Sequence, residues 1–213
     1  MGCPLSFTGI HIANSGLRFF CLILILLCAC QQASDQSATI ETSGIHSIYD
    51  GLPPIGIQYG QAGIPYGEGI HPGIDYNIPV GTDVVAVSDG IVVYLGEPYN
   101  DKFYGGDYGV CLKHGDDFFS VCRHLSRVFV INGQHIKRGQ RLGLSGQSAS
   151  FYAHLHFGLI KNDKKGSGIF FSQSYNPNDF WLNGKPQCFD EHKDYSKNSF
   201  KEITHPVACI EPQ

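Results

Sequence analysis

Short runs of β-branched and aromatic residues, separated by Gly, Asn and Asp, constrain the fold of this chain most strongly. Such runs predict strands over residues 84–87, 91–95, 109–112, 118–122 and 155–160. The segments 88–90 and 114–117 between them contain Gly and Asp, which tolerate the positive φ of hairpin turns. No dozen residues after the N-terminal region show helical periodicity. The sequence therefore predicts a mostly β fold, a compact antiparallel β-sheet domain with loop extensions and a C-terminal tail.

The composition excludes several classes of protein. The net charge is −4 and no basic block is present, so we expect no nucleic-acid partner, because such binding needs Lys and Arg against phosphates. Aromatic residues make up 12% of the chain, which is enough to bury a core and argues against extensive disorder. The Gly-rich stretch at 56–73 lacks the spacing of a phosphate-binding loop.

The first 29 residues predict an export signal. Arg18 is the only charged side chain before Asp35, and the apolar run 19–29 follows it. This run is too short to span about 30 Å of hydrocarbon, which needs roughly 20 residues, and its pattern is typical of a secretory signal peptide. We therefore expect a chain that is exported to the cell envelope.

The end of this run, Leu27-Cys28-Ala29-Cys30, resembles the lipobox of bacterial lipoproteins. The resemblance implies cleavage of residues 1–29, lipid attachment at Cys30 and a membrane-anchored mature chain. Gln31 is not the Asp of an inner-membrane retention signal, so we expect the periplasmic side of the outer membrane. The alternative is cleavage by the general signal peptidase and release of a soluble protein. Residues 30–55 lack apolar periodicity over most of their length and are interpreted as a tether.

Four cysteines follow Cys30, and in an oxidising periplasm an even number suggests disulfides. Three pairings are possible. Cys188 and Cys209 would close a loop in the tail, whereas Cys111 and Cys122 would lie opposite each other if a hairpin turned at 116–117.

The histidines carry most of the functional information. His71 and Asp75 are separated by Pro72 and Gly73, so this pair must converge through a turn into a strand. His154 and His156 are two residues apart in a predicted strand, where alternate side chains share a face. Two His and one carboxylate are a typical ligand set of a catalytic zinc ion with water at the fourth position.

Four segments then resemble a known family in the same order along the chain: 71–82, 86–92, 123–126 and 154–157. They are similar to the motifs of the lysostaphin-like (LytM-type) zinc metallopeptidases, over about residues 56–182. The resemblance implies a zinc metallopeptidase domain at 56–182, a compact antiparallel β fold and cleavage of peptides in bacterial cell-wall peptidoglycan. Residues 183–213 would be a C-terminal extension beyond that domain.

By the same resemblance, one Zn²⁺ ion would be bound by His71, Asp75 and His156. His154 would act as a general base or stabiliser for the attacking water, and His124 would assist at that water or at the developing oxyanion. The substrates would be peptidoglycan stem peptides and their crosslinks. No protein partner is indicated.

Two other functions remain open at this point. One is a non-hydrolytic regulatory module that activates a separate cell-wall amidase, and the other is a zinc-dependent binding protein without catalysis. Two departures from the family pattern also stand out. The segment before His154 carries the aromatic residues Phe151 and Tyr152 in place of glycines. Residues 97–108 form an enlarged loop, which is either the rim of a binding cleft or a solvent-exposed decoration.

Overall fold

The computed structural model describes residues 49–62, 70–95, 108–115, 118–148, 150–161 and 174–210. All of them belong to one unit, Gly44–Gln213. The predicted signal and Cys30 lie outside the described residues, as does the 97–108 loop except for Tyr108. No helix within the described ranges is long and apolar enough to cross a membrane.

The described residues form a mostly β structure, which confirms the predicted fold class. Only two short 3₁₀ helices occur among them, Pro177–Asp179 and Leu182–Gly184. The strands are β1 (Tyr49–Asp50), β2 (Ile55–Ile57), β3 (Ile74–Tyr76), β4 (Asp83–Val85), β5 (Gly90–Leu95), β6 (Tyr108–Lys113), β7 (Phe119–Val128), β8 (His135–Ile136), β9 (Arg141–Ser145), β10 (Leu155–Ile160), β11 (Ser174–Tyr175) and β12 (Cys209–Ile210).

Ten of these strands form one antiparallel sheet in the described part of the chain, with the order β2-β3-β10-β7-β6-β5-β8. Strand β11 pairs with β10, and β9 joins β4 to β7. Strands β3 and β10 are buried along their whole length. Because alternate side chains of a strand point to opposite faces, both strands must be covered on both sides.

The predicted strands agree closely with the observed ones, but β7 is longer than expected. It continues from the predicted 118–122 run through Arg123 and His124 to Val128, so a predicted catalytic residue lies within a strand. Strands β1 and β2 begin inside the 30–55 segment, so strand pairing starts at Tyr49, earlier than the composition indicates.

The tail packs into the same core as the sheet. Ile203 and Val207 are completely buried, and Val207 forms a β-bridge with Val84. A disulfide joins Cys188 to Cys209, which is one of the pairings considered from the sequence. Cys209 also pairs with Tyr49 in the parallel β1–β12 ladder, so the first and last described strands are neighbours.

The expected pairing of Cys111 with Cys122 is wrong, because both are free, buried thiols. Cys111 lies opposite Val121, and Cys122 lies opposite Val110, one residue away from the register that the pairing needs. A shift of one residue turns a side chain to the other face of a sheet. Cys122 accordingly packs in the main core, whereas Cys111 packs with Phe119, Val121 and Ile160 in a separate cluster. Burial raises the pKa of each thiol to about 12.

Candidate metal centre

Strands β3 and β10 bring the predicted ligands together. Asp75 and His156 are direct cross-strand partners, and His71 lies just before β3. The Asp75 Oδ1 atom is 3.0 Å from His71 Nε2 and 2.8 Å from His156 Nδ1, and the two imidazole nitrogens are 3.0 Å apart. Three potential ligand atoms therefore converge on one point, although His71 and His156 are far apart in the sequence.

The burial of this cluster controls its charge. Burial by itself would raise the pKa of Asp75, but hydrogen bonds and electrostatic interactions with His156 and His71 outweigh it and hold that pKa well below its usual range. Burial lowers the pKa of His156 to about 4, against the opposing effect of Asp75. An ionised carboxylate and a neutral imidazole are the forms that bind a metal ion.

The backbone fixes the orientation of the His71 ring. Its Nδ1 lies 3.2 Å from the carbonyl oxygen of Gln58. A carbonyl only accepts hydrogen bonds, so Nδ1–H donates and Nε2 keeps its lone pair toward Asp75 and His156. A partner of this kind on the far nitrogen of a metal-binding His orients the ring and raises its basicity.

His154 lies beside the cluster without joining it. Its Nε2 is 3.6 Å from Asp75 Oδ2, and its Nδ1 donates a hydrogen bond of 3.0 Å to the carbonyl of Tyr152. This donor assignment leaves a lone pair on Nε2, on the side of Asp75. Burial lowers the pKa of His154, opposed by the negative charge of Asp75, which favours the neutral base at physiological pH.

His124 reaches the same place from a β-bulge in β7. Cys122 pairs with Val110 and Leu125 with Tyr108, so β7 has one residue more than β6 between these pairs. His124 has a φ of 63°, in the left-handed region that few non-glycine residues adopt. Its Nδ1 donates to the carbonyl of Ser148 at 2.7 Å, and its ring centroid is 4.5 Å from that of His154.

All five predicted side chains thus lie together. The sequence model of peptidase family M23 matches residues 69–167, a range that contains all five. The catalytic domain of the antimicrobial peptidase lysostaphin from Staphylococcus simulans is 30% identical to this chain. That match covers 59% of this chain and 89% of the domain, with a TM-score of 0.47. The chain belongs to peptidase family M23.

Two curated relatives are informative about the range of functions near this M23 domain. Peptidoglycan DD-endopeptidase ShyA of Vibrio cholerae is 40% identical over 91 residues, which are 42% of this chain and 20% of ShyA. Murein hydrolase activator NlpD of Salmonella typhimurium is 34% identical over 90 residues, which are 42% of this chain and 23% of NlpD. The chain therefore spans about a fifth of the length of these relatives.

The chemistry of the M23 donor set fits a zinc ion. Two imidazole nitrogens and one carboxylate oxygen, without sulfur, are ligands of catalytic rather than structural zinc sites. Ligand atoms around one tetrahedral zinc ion lie about 3.3 Å apart, and the three separations in this cluster are 2.8–3.0 Å. The cluster could accept the ion with small outward movements of its side chains.

Several features that shape the M23 site have no signal in the sequence. The carbonyl groups of Gln58, Ser148 and Tyr152 fix three imidazole rings, and any residue type carries a carbonyl. Gly73 is different, because a Cβ there would lie 2.8 Å from Cε1 of His156 and 2.4 Å from the Phe157 carbonyl oxygen. The glycine in the His-Pro-Gly sequence thus makes space for the imidazole of His156.

Two further histidines lie away from the centre, His205 fully buried and His114 half-buried. His114 hydrogen-bonds the Asp89 carbonyl and the Ser120 hydroxyl, each at 2.7 Å. His205 contacts the ring of Tyr76 and accepts a hydrogen bond from the Val207 amide. Burial lowers the pKa of His114 to about 4 and that of His205 to about 3, so both are neutral, structural groups at physiological pH.

Proposed function

We propose that this protein is a zinc-dependent endopeptidase that hydrolyses peptide bonds in bacterial cell-wall peptidoglycan. The observation that carries the proposal is the convergence of His71 Nε2, Asp75 Oδ1 and His156 Nδ1 beside the imidazoles of His154 and His124, each of which is oriented by a hydrogen bond from Nδ1 to a backbone carbonyl. A protein that only held a metal ion would need the first three groups. His154 and His124 are the additional groups that peptide hydrolysis needs, for proton transfer and for stabilising the developing negative charge.

In this proposal one zinc ion is held by His71, Asp75 and His156. The ion would supply Lewis acidity, which polarises the scissile carbonyl and lowers the pKa of a water molecule toward about 7. The ligands provide one negative charge from Asp75 and two neutral imidazoles. Gln58 keeps His71 in the tautomer that presents Nε2. Strand pairing between β3 and β10 keeps Asp75 and His156 in register.

His154 and His124 would handle protons and developing charge. His154 Nε2, with its lone pair, takes a proton from the attacking water and later returns it to the leaving amine. His124, hydrogen-bonded through Nδ1 to Ser148, presents Nε2 from the bulge to the attacking water. As an imidazolium it would instead donate to the oxyanion that forms on the carbonyl oxygen.

The substrate and the location are further parts of the proposal. The similarity to ShyA, a peptidoglycan DD-endopeptidase, supports stem peptides and crosslinks as the substrate class. The lipobox-like residues Leu27–Cys30 support export and a lipid anchor on Cys30, with the enzyme on the periplasmic side of the outer membrane. The tether between Cys30 and β1 would let the domain reach the wall from that membrane.

A second candidate function rests on the similarity to NlpD, a murein hydrolase activator. In that case the M23 domain would bind and activate a separate amidase without cleaving the wall itself. Binding alone gives no reason for the placement of His154 and His124 beside the ligand cluster. The endopeptidase is therefore the better supported of the two.

The deciding experiment incubates the chain from Gln31 to Gln213 with purified peptidoglycan sacculi, with and without a chelator, and identifies released fragments by mass spectrometry. We expect chelator-sensitive loss of crosslinked dimers, restored by added zinc and absent in His154→Ala. If the zinc-loaded protein releases no fragments, the proposed endopeptidase activity is refuted. An amidase that cleaves only when this protein is added would then establish the activator function.

A further inference from the structure

The segment just before His154 contacts its ring directly. The ring of Tyr152 stacks on the His154 imidazole, with centroids 4.4 Å apart and planes inclined by 27°. Tyr152 is 43% exposed, whereas His154 is 2% exposed. The tyrosine ring therefore shields a buried imidazole, which already has the His124 ring as a second neighbour.

The same residue also fixes the tautomer of His154. The Tyr152 carbonyl accepts the hydrogen bond from His154 Nδ1 at 3.0 Å. The Ser150 hydroxyl donates to that carbonyl at 3.0 Å and lies 3.2 Å from His154 Nδ1. The ring and the carbonyl group of Tyr152 thus restrain two different movements of the His154 imidazole. The stacking limits its tilt, and the hydrogen bond limits its rotation about χ2.

The turn that carries Tyr152 is held by its own hydrogen bonds. The Gln147 side-chain amide donates to the Phe151 carbonyl at 3.0 Å, and the Ser150 amide donates to the Gln147 carbonyl at 3.2 Å. The side chain of Phe151 takes no part in this, since it is 99% exposed. Tyr152 therefore stacks on His154, whereas the adjacent Phe151 side chain is exposed to solvent.

We infer that Tyr152 is a positioning residue, which holds the His154 imidazole with Nε2 directed to the side of the metal centre where proton transfer takes place. This inference rests on the proposed endopeptidase function. Its physical basis is the steep dependence of proton transfer on geometry, since a displacement of about 1 Å can cost a factor of 10² in rate. The ring, rather than the hydroxyl group, provides the stacking, so phenylalanine should replace tyrosine.

The test compares Tyr152→Ala, Tyr152→Phe and Phe151→Ala in the full mature chain, loaded with zinc, on a purified crosslinked muropeptide dimer. For Tyr152→Ala we expect kcat to fall about tenfold or more, with KM and zinc content close to those of the parent protein. Tyr152→Phe and Phe151→Ala should both keep kcat within about twofold. Phe151→Ala is the matched control, because it removes a neighbouring aromatic ring that does not touch His154.

Three results would overturn the inference: an unchanged kcat in Tyr152→Ala, a rise in KM alone, or an equal loss of kcat in Phe151→Ala. A parent protein that does not cleave the dimer would instead refute the proposed function. The contact itself is then tested by NMR of the histidine ring protons. The His154 resonances should carry a ring-current shift that Tyr152→Ala removes and Tyr152→Phe keeps, and its absence from the parent protein would refute the stacking.

Discussion

The imidazole rings of His124 and His154 lie with their centroids 4.5 Å apart, and each ring is fixed by a hydrogen bond from Nδ1 to a backbone carbonyl. The two carbonyls, from Ser148 and Tyr152, belong to the same connection between β9 and β10. This connection therefore sets the tautomers of both histidines. In consequence, the two imidazoles lie together beside the cluster of His71, Asp75 and His156.

In the proposed enzyme, this arrangement separates metal binding from turnover. His156→Ala removes a ligand atom and should abolish stoichiometric zinc binding together with activity. His154→Ala leaves the three ligands in place, so zinc content should stay near one ion per chain while kcat falls by about 10² to 10⁴. Metal analysis after exhaustive dialysis and a cleavage assay on the same samples distinguish the two. Full activity in His154→Ala would contradict the assignment of the base.

Gly73 offers a test of the ligand geometry that changes no ligand. A methyl group at Gly73 would approach Cε1 of His156 to 2.8 Å and the Phe157 carbonyl oxygen to 2.4 Å. Gly73→Ala should displace the imidazole and weaken zinc binding by about tenfold or more. Gly158→Ala is the matched control, because its Cβ would meet Pro72 and His156 atoms at 3.5 and 3.6 Å, which is ordinary contact. Competition with a chromogenic chelator measures the zinc affinity of both variants. Equal affinities would refute the prediction that a methyl group at Gly73 displaces the His156 imidazole.

The left-handed backbone conformation at His124 should lower the free energy of unfolding by a measurable amount. With φ at 63°, a non-glycine residue here is strained by about 1–2 kcal/mol, whereas glycine adopts this region freely. His124→Gly and His124→Ala both lose the imidazole and should lose similar activity. The glycine variant should nevertheless be more stable than the alanine variant by about 1 kcal/mol in chemical denaturation. A more stable alanine variant would show that the backbone at His124 is not in the left-handed region.

Acid should destabilise the fold through its buried neutral histidines. The pKa of His205 is lowered by burial to about 3, below the 6.5 of an exposed imidazole, so the unfolded chain binds the proton more readily. Stability is therefore full above about pH 6.5 and falls as the pH decreases toward the folded value. His205→Gln should reduce the slope of the free energy of unfolding against pH, between pH 6.5 and 4, by about 1.4 kcal/mol per pH unit.

The control for this experiment is His135→Gln, which replaces an exposed imidazole in β8. Its free energy of unfolding should follow the same pH dependence as that of the parent protein. The measurement is urea denaturation at several pH values. A His205→Gln variant whose slope equals that of the parent protein would show that His205 is not the buried neutral group described here.

Much of the fold and site could be predicted because the relevant signals lie in side chains. β-branched runs specify strands, and the pairs His71/Asp75 and His154/His156 specify a ligand set by residue type and spacing. The tail was harder to interpret. Ile203 and Val207 are fully buried, but the short segment that contains them shows no regular apolar periodicity.

Other features depend on register, which residue types do not specify. A hairpin centred at 116–117 predicts Cys111 opposite Cys122, and the actual pairing differs by one residue. The left-handed bulge at His124 and the carbonyl partners of the imidazoles are properties of the backbone. Only the packed sheet determines them.

The pairing of β1 with β12 also has a mechanical consequence. Tyr49 is the first described residue of the 30–55 segment that was interpreted as a tether, and its strand partner Cys209 is bonded to Cys188. A tensile force transmitted along the tether would reach the β1–β12 pair first, and the disulfide would spread it into the tail. Strands β2 and β3, and with them Asp75, would bear little of that force. The disulfide-linked β1–β12 pair would thus keep mechanical load away from the candidate metal centre of the proposed envelope enzyme.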